Sequence, residues 1–244
     1  MLTSLQNTKV KEWKKLHKRK YRNQTGLFLV EGFHLVEEVI KSDWEIEELI
    51  VREGTNYSVG GEVPVTKVSP AVFAAIAETE TPQGIAAVVH QKEWKFQSGA
   101  LTLMMDAVQD PGNVGTLIRT ADAAGFDQVV LGSGTVDVFN DKVIRATQGS
   151  IFHIPFTSGD LNDFIEPLKE NGAEIWASAL QDAEPFQQLP SPDRAALIVG
   201  NEGKGIHEEL LNQADQRVYI PIYGQAESLN VGIAGAVLMY HLKG

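Results

Sequence analysis

An α/β fold built on a mostly parallel sheet is what this sequence predicts, preceded by a smaller α/β unit. Two observations carry that expectation. From residue 100 onward, short apolar runs alternate with amphipathic stretches, the pattern of a parallel sheet with helices on both faces. Ahead of this alternation, a separate set of strand and helix signals ends in the polar stretch 90–99, read as a linker. The chain has 244 residues, enough for two modest domains. The boundaries fall at 1–95 and 100–244.

In the first unit, residues 7–20 read as one helix, with Val10, Trp13 and Leu16 or His17 on one side and lysines around the rest. Residues 27–30 are a buried strand, followed by Glu31-Gly32 and a helix carrying Leu35, Val36, Val39 and Ile40. Residues 46–51 and 63–68 are further strands. Ser69-Pro70 is an N-cap with proline at the first helical position. Thr81-Pro82-Gln83-Gly84 turns the chain into a strand over 85–89. In the second unit, strands are expected at 101–105, 128–131, 151–155, 174–179, 196–199 and 218–220. Helices are expected at 113–124, 141–148, 162–170, 206–213 and 230–242.

Hydrophobic residues make up 43% and charged residues 22%, as in soluble globular proteins. No apolar run approaches the roughly 18–20 residues needed to span a bilayer, and the N-terminus carries no apolar signal region. The expected location is cytoplasmic, with no membrane partner. With no cysteine in the chain, disulfides, thiolate metal sites and cysteine nucleophiles are excluded. The six histidines show no paired spacing, so no metal is expected.

The net charge of -11 is unevenly distributed. Residues 1–22 hold Lys9, Lys11, Lys14, Lys15, Lys18, Arg19, Lys20 and Arg22 against Glu12 alone, a balance of +7 on a remainder of -18. Such a positive arm suits a phosphate backbone; from charge alone, a solvated helix face is equally consistent.

The dinucleotide-binding glycine fingerprint, the Walker A loop, the nucleophile elbow and the His-Glu-x-x-His zinc motif are all absent. Three polar clusters remain, each after a predicted strand. The first is Asp110-Pro111-Gly112-Asn113-Val114-Gly115, with Arg119 set away from the apolar face formed by Val114, Leu117, Ile118 and Ala121. The second is Gly200-Asn201-Glu202-Gly203-Lys204-Gly205-Ile206, whose glycines permit close backbone approach to a ligand. The third runs from Ile220-Pro221 to Ser228-Leu229-Asn230-Val231, where a strand stops at proline and a helix opens on an N-cap. Taken singly, each could be an ordinary turn.

Together, in this order, the three clusters resemble the motifs of the SpoU (TrmH-like) family of RNA ribose 2′-O-methyltransferases. Lys142, Arg145 and Gly149, ahead of Ile151-Phe152-His153-Ile154-Pro155, are similar to a family stretch that contacts RNA. The first unit resembles, more loosely, the ribosomal-protein-like RNA-binding domain of many members; the basic helix, Phe28 to Gly32 and Thr81 to Gly84 carry that match. The resemblance implies a SPOUT-type domain with a deep trefoil knot, a homodimer, and S-adenosylmethionine bound in the knot loops. Alternation alone implies an unknotted sheet.

The resemblance further implies a cofactor seat at Gly200, Asn201, Ile220 and Leu229, largely through backbone groups. It places Arg119 at the acceptor hydroxyl, with Asn113, Glu202, Ser228 and Asn230 around it. Arginine keeps its proton above about pH 12, so it is a poor base. The role expected of Arg119 is to hold an RNA phosphate and polarise the hydroxyl, while Asn113 and Ser228 orient it and the ribose and Glu202 braces the loop. Lys14, Lys18, Arg19, Arg22, Lys142 and Arg145 are the expected RNA contacts. Ribosomal RNA is the preferred substrate. Transfer RNA, a non-catalytic RNA-binding assembly factor, and a small-molecule enzyme are the alternatives.

Overall fold

The computed structural model describes residues 1–57, 63–92, 94–97 and 99–244; of the expected linker, residues 93 and 98 lie outside this set. The chain forms two compact units, Met1–Lys92 with Asp137–Phe152, and Glu93–Val136 with His153–Gly244.

The first unit carries a sheet of order β1-β4-β2-β3, made of β1 (Leu27–Glu31), β2 (Ile46–Arg52), β3 (Val65–Val68) and β4 (Ile85–His90). β4 pairs antiparallel with both β1 and β2, while β2 and β3 run parallel. Helices α1 (Thr8–Lys15) and α4 (Pro70–Ile76) share a buried cluster that includes Val10, Trp13, Leu16, Ile50, Val72 and Phe73. As the Ser-Pro pair implies, the Ser69 side chain caps α4 by accepting from the Val72 N–H at 3.3 Å. The single basic helix expected over 7–20 is two helices, α1 and α2 (Arg19–Thr25). The break is held by tertiary contacts: the Leu16 carbonyl accepts from Arg22 at 2.8 Å, and the His17 Nε2 lies 3.0 Å from the Ile76 carbonyl.

Helix α3 (Phe33–Lys41) and the segment Asp137–Phe152 complete this unit. That segment contains α6 (Asp141–Thr147), and its aromatic side chains explain its position. Phe139 lies 4.7 Å from Phe28, and Phe152 lies 5.4 Å from Trp44, centroid to centroid. Asp137 accepts from Arg22 at 2.5 Å. The sequence boundaries assign this stretch to the second domain; its packing is with the first. The strand expected at 151–155 is absent. Gln148 and Gly149 take positive φ (50° and 98°), a 3-10 turn follows at Ser150–Phe152, and the strand begins only at Phe156. A short apolar run alone cannot distinguish a buried turn from a strand.

The second unit is a seven-stranded parallel sheet of order β7-β6-β5-β10-β8-β11-β9. Its strands are β5 (Leu101–Met105), β6 (Gln128–Gly132), β7 (Phe156–Gly159), β8 (Glu174–Ser178), β9 (Glu184–Pro185), β10 (Ala195–Val199) and β11 (Gln216–Tyr219). β5, β6 and β10 are buried along their whole length, as strands covered on both faces are. One face packs against α7 (Asn162–Glu170) and α8 (Glu208–Leu211) through Ile165, Leu168, Ile206 and Leu210. Helices α5 (Pro111–Ala123) and α9 (Val231–Lys243) pack together, and α9 also meets β10. The expected helix over 206–213 is only the single turn α8, and β9 lies in what reads as a loop. In this order, β6 and β7 lie outward from β5 while β8 and β11 lie outward from β10. The sheet therefore switches direction between β5 and β10, where ligands bind in open α/β sheets, beyond the carboxyl ends of the strands.

Candidate active site

The loops that leave β5 and β10 meet at this switch point. After β5, Ala107 takes a positive φ of 52°. Asp110 then caps α5 by accepting from the Asn113 N–H at 2.9 Å, with Pro111 at the first helical position. Val114, Leu117, Ile118 and Ala121 are buried, as their spacing requires. Arg119 is exposed, and its guanidinium has no hydrogen bond or ion pair among the described residues.

After β10, residues 200–206 form a tight hairpin. Asn201 and Gly205 exchange backbone hydrogen bonds of 3.0 and 2.9 Å. The Asn201 side chain accepts from the Gly203 and Lys204 N–H groups, each at 3.0 Å, and donates to the Ala107 carbonyl at 2.9 Å. A Cβ on Gly200 would lie 2.4 Å from the Gly205 carbonyl carbon and 2.5 Å from the Ile206 nitrogen.

A polar relay joins this hairpin to the other two clusters. The Glu202 carboxylate accepts from the Gln109 N–H at 3.2 Å, the Asp110 N–H at 3.0 Å and the Asn113 Nδ2 at 2.9 Å. Because a carboxylate only accepts, the Asn113 amide must turn its nitrogen to Glu202 and its oxygen away. That oxygen accepts from the Asn230 Nδ2 at 2.9 Å. The Asn230 oxygen is then left to cap α9, accepting from Gly232 at 2.9 Å and Ile233 at 3.3 Å. The three polar side chains thus have one consistent orientation, and each motif contributes one of them.

Desolvation, the largest single influence on Glu202, favours its protonated form. Hydrogen bonds from Asn113 and from the Asp110, Glu202 and Gln109 backbone outweigh it, and the pKa falls below its ordinary 4.5. A depressed folded-state pKa stabilises the fold fully above the ordinary value, and that contribution is lost as pH falls through the lowered one. Glu202→Gln is therefore expected to lower the melting temperature by roughly 2 °C at neutral pH, the gap to wild type closing in acid. A gap independent of pH would show that the charge is not what the relay uses.

Beyond β11, residues 221–229 make no backbone hydrogen bond among the described residues, so their N–H and C=O groups are open to a ligand. Ile220 is half-buried, Leu229 is 38% exposed, and Ser228 is exposed and joined to none of the relay side chains. Asn113, Glu202 and Asn230 are thus brought together, whereas among the described residues Arg119 and Ser228 make no hydrogen bond to the relay. Sequence reasoning missed Asp106 and His207. The buried Asp106 carboxylate lies 2.9 Å from the His207 Nδ1 and accepts the His207 N–H at 2.7 Å. The available signal was an acid placed directly after a largely apolar strand.

In the first unit, Lys14, Lys18, Arg19 and Lys142 are exposed, as phosphate contacts require. Arg145 is half-buried and paired with Asp141 at 2.6 Å. Arg22 corrects the expectation: it is 3% exposed and bonded to Leu16 and Asp137, so it is a structural cation turned away from solvent. Among the described residues no group of His, Asp or Glu could hold a metal ion, and no helix is long and apolar enough to cross a membrane.

Residues 100–240 match the SpoU rRNA Methylase family, and residues 7–87 match the MRM3-like substrate binding domain. The chain is 50% identical to the 23S rRNA (guanosine(2553)-2′-O)-methyltransferase RlmP of Bacillus subtilis, over 100% of this chain and 99% of that protein. The crystal structure of an AdoMet-bound rRNA methyltransferase from Sinorhizobium meliloti superposes with a TM-score of 0.88 at 30% identity, covering 99% of this chain and 96% of that one. An RNA 2′-O ribose methyltransferase structure gives 0.83 at 28% identity, over 99% and 97%. The chain belongs to the SpoU rRNA methylase family of S-adenosylmethionine-dependent RNA 2′-O-methyltransferases.

Proposed function

We propose that this protein methylates the ribose 2′-hydroxyl of one guanosine of 23S ribosomal RNA, equivalent to the one modified by its Bacillus subtilis relative. The observation that carries this reading is identity of 50% along the whole of both chains, so the substrate-binding unit is shared as well as the methyltransferase unit. Mapping 2′-O-methyl marks on 23S rRNA from a deletion strain tests it. The reading expects one guanosine mark to vanish and to return with the wild-type gene; an unchanged rRNA map with a mark lost from transfer RNA would overturn it.

The residues present fit the cofactor. The open backbone of 221–229 offers donors and acceptors for an adenine edge, and the closed hairpin at Gly200 supplies a firm wall beside it. Gly200, Asn201, Ile220 and Leu229 form the seat in this reading. Bound there, S-adenosylmethionine supplies an electrophilic methyl group on a sulfonium. The protein's task is to hold the 2′-oxygen in line with it and exclude water. Arg119, unpaired and exposed on α5, holds an RNA phosphate and polarises the hydroxyl. Asn113 and Asn230 link the starts of α5 and α9, Asn113 and Ser228 orient Arg119 and the ribose, and Glu202 braces the loop.

Lys14, Lys18, Arg19 and Lys142 grip the RNA backbone, with Arg145 beside them. The C-terminal segment threads the loop after β10 as a trefoil knot, and an experimental trace with 221–243 outside that loop would contradict this. The protein acts in the cytoplasm as a homodimer. Ile233, Val237 and Tyr240 on α9 support the dimer, since they form an apolar stripe 53%, 36% and 57% exposed. The small residues of α9 serve another purpose: Gly232 and Gly235 are buried, with Thr116 and Leu117 of α5 filling the space a Cβ would need.

A further inference from the structure

We infer that Asp106 is a positioning residue for cofactor binding, acting as the anchor that closes the 200–206 hairpin at its exit. This rests on the proposal that the hairpin walls the S-adenosylmethionine seat. Asp106 ends the central strand β5 and is 4% exposed, yet it is a carboxylate. A buried carboxylate is costly unless strong donors meet it. Here both donors come from one residue, His207, the first beyond the hairpin. The His207 N–H donates at 2.7 Å, and the ring Nδ1 lies 2.9 Å from each carboxylate oxygen. The ring itself is 67% exposed, so it gains little from packing and is held by the carboxylate.

The hairpin entrance is tied to the adjacent residue. Asn201 donates to the Ala107 carbonyl at 2.9 Å, and the positive φ of Ala107, 52°, turns the backbone at this corner. A non-glycine residue rarely adopts that conformation. Asp106 and Ala107 therefore hold the two ends of one loop, while Glu202 ties its tip to Gln109 and Asp110. The loop itself holds Gly200, Gly203 and Gly205, a composition with high entropy when unanchored. Anchoring at three points means that the cofactor does not have to order the loop on binding. Asp106 acts through His207 and needs no contact with the methyl donor, the RNA or Arg119.

The predicted signature is a split between cofactor affinity and turnover. In the full-length protein, Asp106→Ala removes a charged hydrogen-bond pair and is expected to raise the S-adenosylmethionine Kd and KM about tenfold to a hundredfold. The value of kcat at saturating cofactor stays within about threefold, and RNA affinity is unchanged. Asp106→Asn restores most of the affinity, because its oxygen still accepts the His207 N–H and its amide can donate to the other imidazole tautomer. Asp106→Ser, polar but short of the reach for both donors, behaves like the alanine variant and carries the test if that variant does not fold. Gly200→Val is measured in parallel. If it abolishes cofactor binding while Asp106→Ala and Asp106→Ser do not weaken it, the anchor role is wrong and the cofactor seat stands. If Gly200→Val leaves binding intact, the seat itself is misplaced. A fall in kcat with unchanged cofactor affinity in the Asp106 variants would also overturn the inference.

Discussion

Replacing Gly200 with valine is expected to abolish cofactor binding while leaving the fold of the sheet intact. The cause is steric. Gly200 does not need a positive φ; it lacks room for a side chain. Its Cβ would meet the Gly205 carbonyl carbon at 2.4 Å, the Ile206 nitrogen at 2.5 Å and the Gly205 oxygen at 2.6 Å, all main-chain atoms that cannot swing aside. The hairpin must open, breaking the Asn201–Gly205 pair of 3.0 and 2.9 Å and moving Glu202 off the relay. Loss of S-adenosylmethionine affinity of about a hundredfold or more is expected, with far-ultraviolet circular dichroism unchanged. Gly200→Ala suffers the same contacts with less bulk beyond them and should fall between. Affinity within about threefold of wild type in the valine variant would remove the hairpin from the cofactor seat.

The second large effect is at Arg119. Arg119→Lys keeps the charge but loses the planar fork that engages a phosphate or hydroxyl at two points. Turnover is expected to fall about a hundredfold with cofactor affinity unchanged, because the role proposed for this residue is at the acceptor and not the donor. Near-normal turnover would mean that a point charge is enough. Co-expressing the Arg119→Lys and Gly200→Val chains adds the subunit question. Partial recovery of activity in the mixed dimer would mean that one subunit's Arg119 serves the other's cofactor; no recovery would keep each site within one chain.

Where local chemistry decided the structure, the sequence was readable. Ser69-Pro70 and Asp110-Pro111 open helices as their caps require, and the largely apolar runs of β5, β6 and β10 are buried strands. Asn230 caps α9, which follows from an Asn directly before an apolar helix. Features set by distant contacts were not readable. The helix break after Lys15 depends on Arg22 and Ile76, and no glycine or proline marks it. Residues 137–152 follow the first unit because Phe139 and Phe152 find Phe28 and Trp44, which periodicity cannot report. Arg22 reads from the sequence as an RNA contact in a basic arm, yet burial beside Asp137 makes it structural.

The site shows the same division. Motif order and resemblance assembled Asn113, Glu202 and Asn230, although 89 and 117 residues separate the bonded pairs. The direction of the amide relay needed coordinates of every partner, since each orientation is fixed by the next acceptor. Asp106 went unnoticed because no turn or glycine pattern surrounds it. Its importance lies in what it meets 101 residues later.

The proposed activity requires the methyl group to arrive at a ribose oxygen. The direct measurement is transfer of labelled methyl from S-adenosylmethionine to an unmodified 23S rRNA fragment, compared with the same fragment carrying 2′-deoxyguanosine at the target position. The account predicts about one methyl per wild-type fragment and none on the deoxy fragment, with both bound equally well. Undiminished transfer to the deoxy fragment would place the methyl on a base and contradict it.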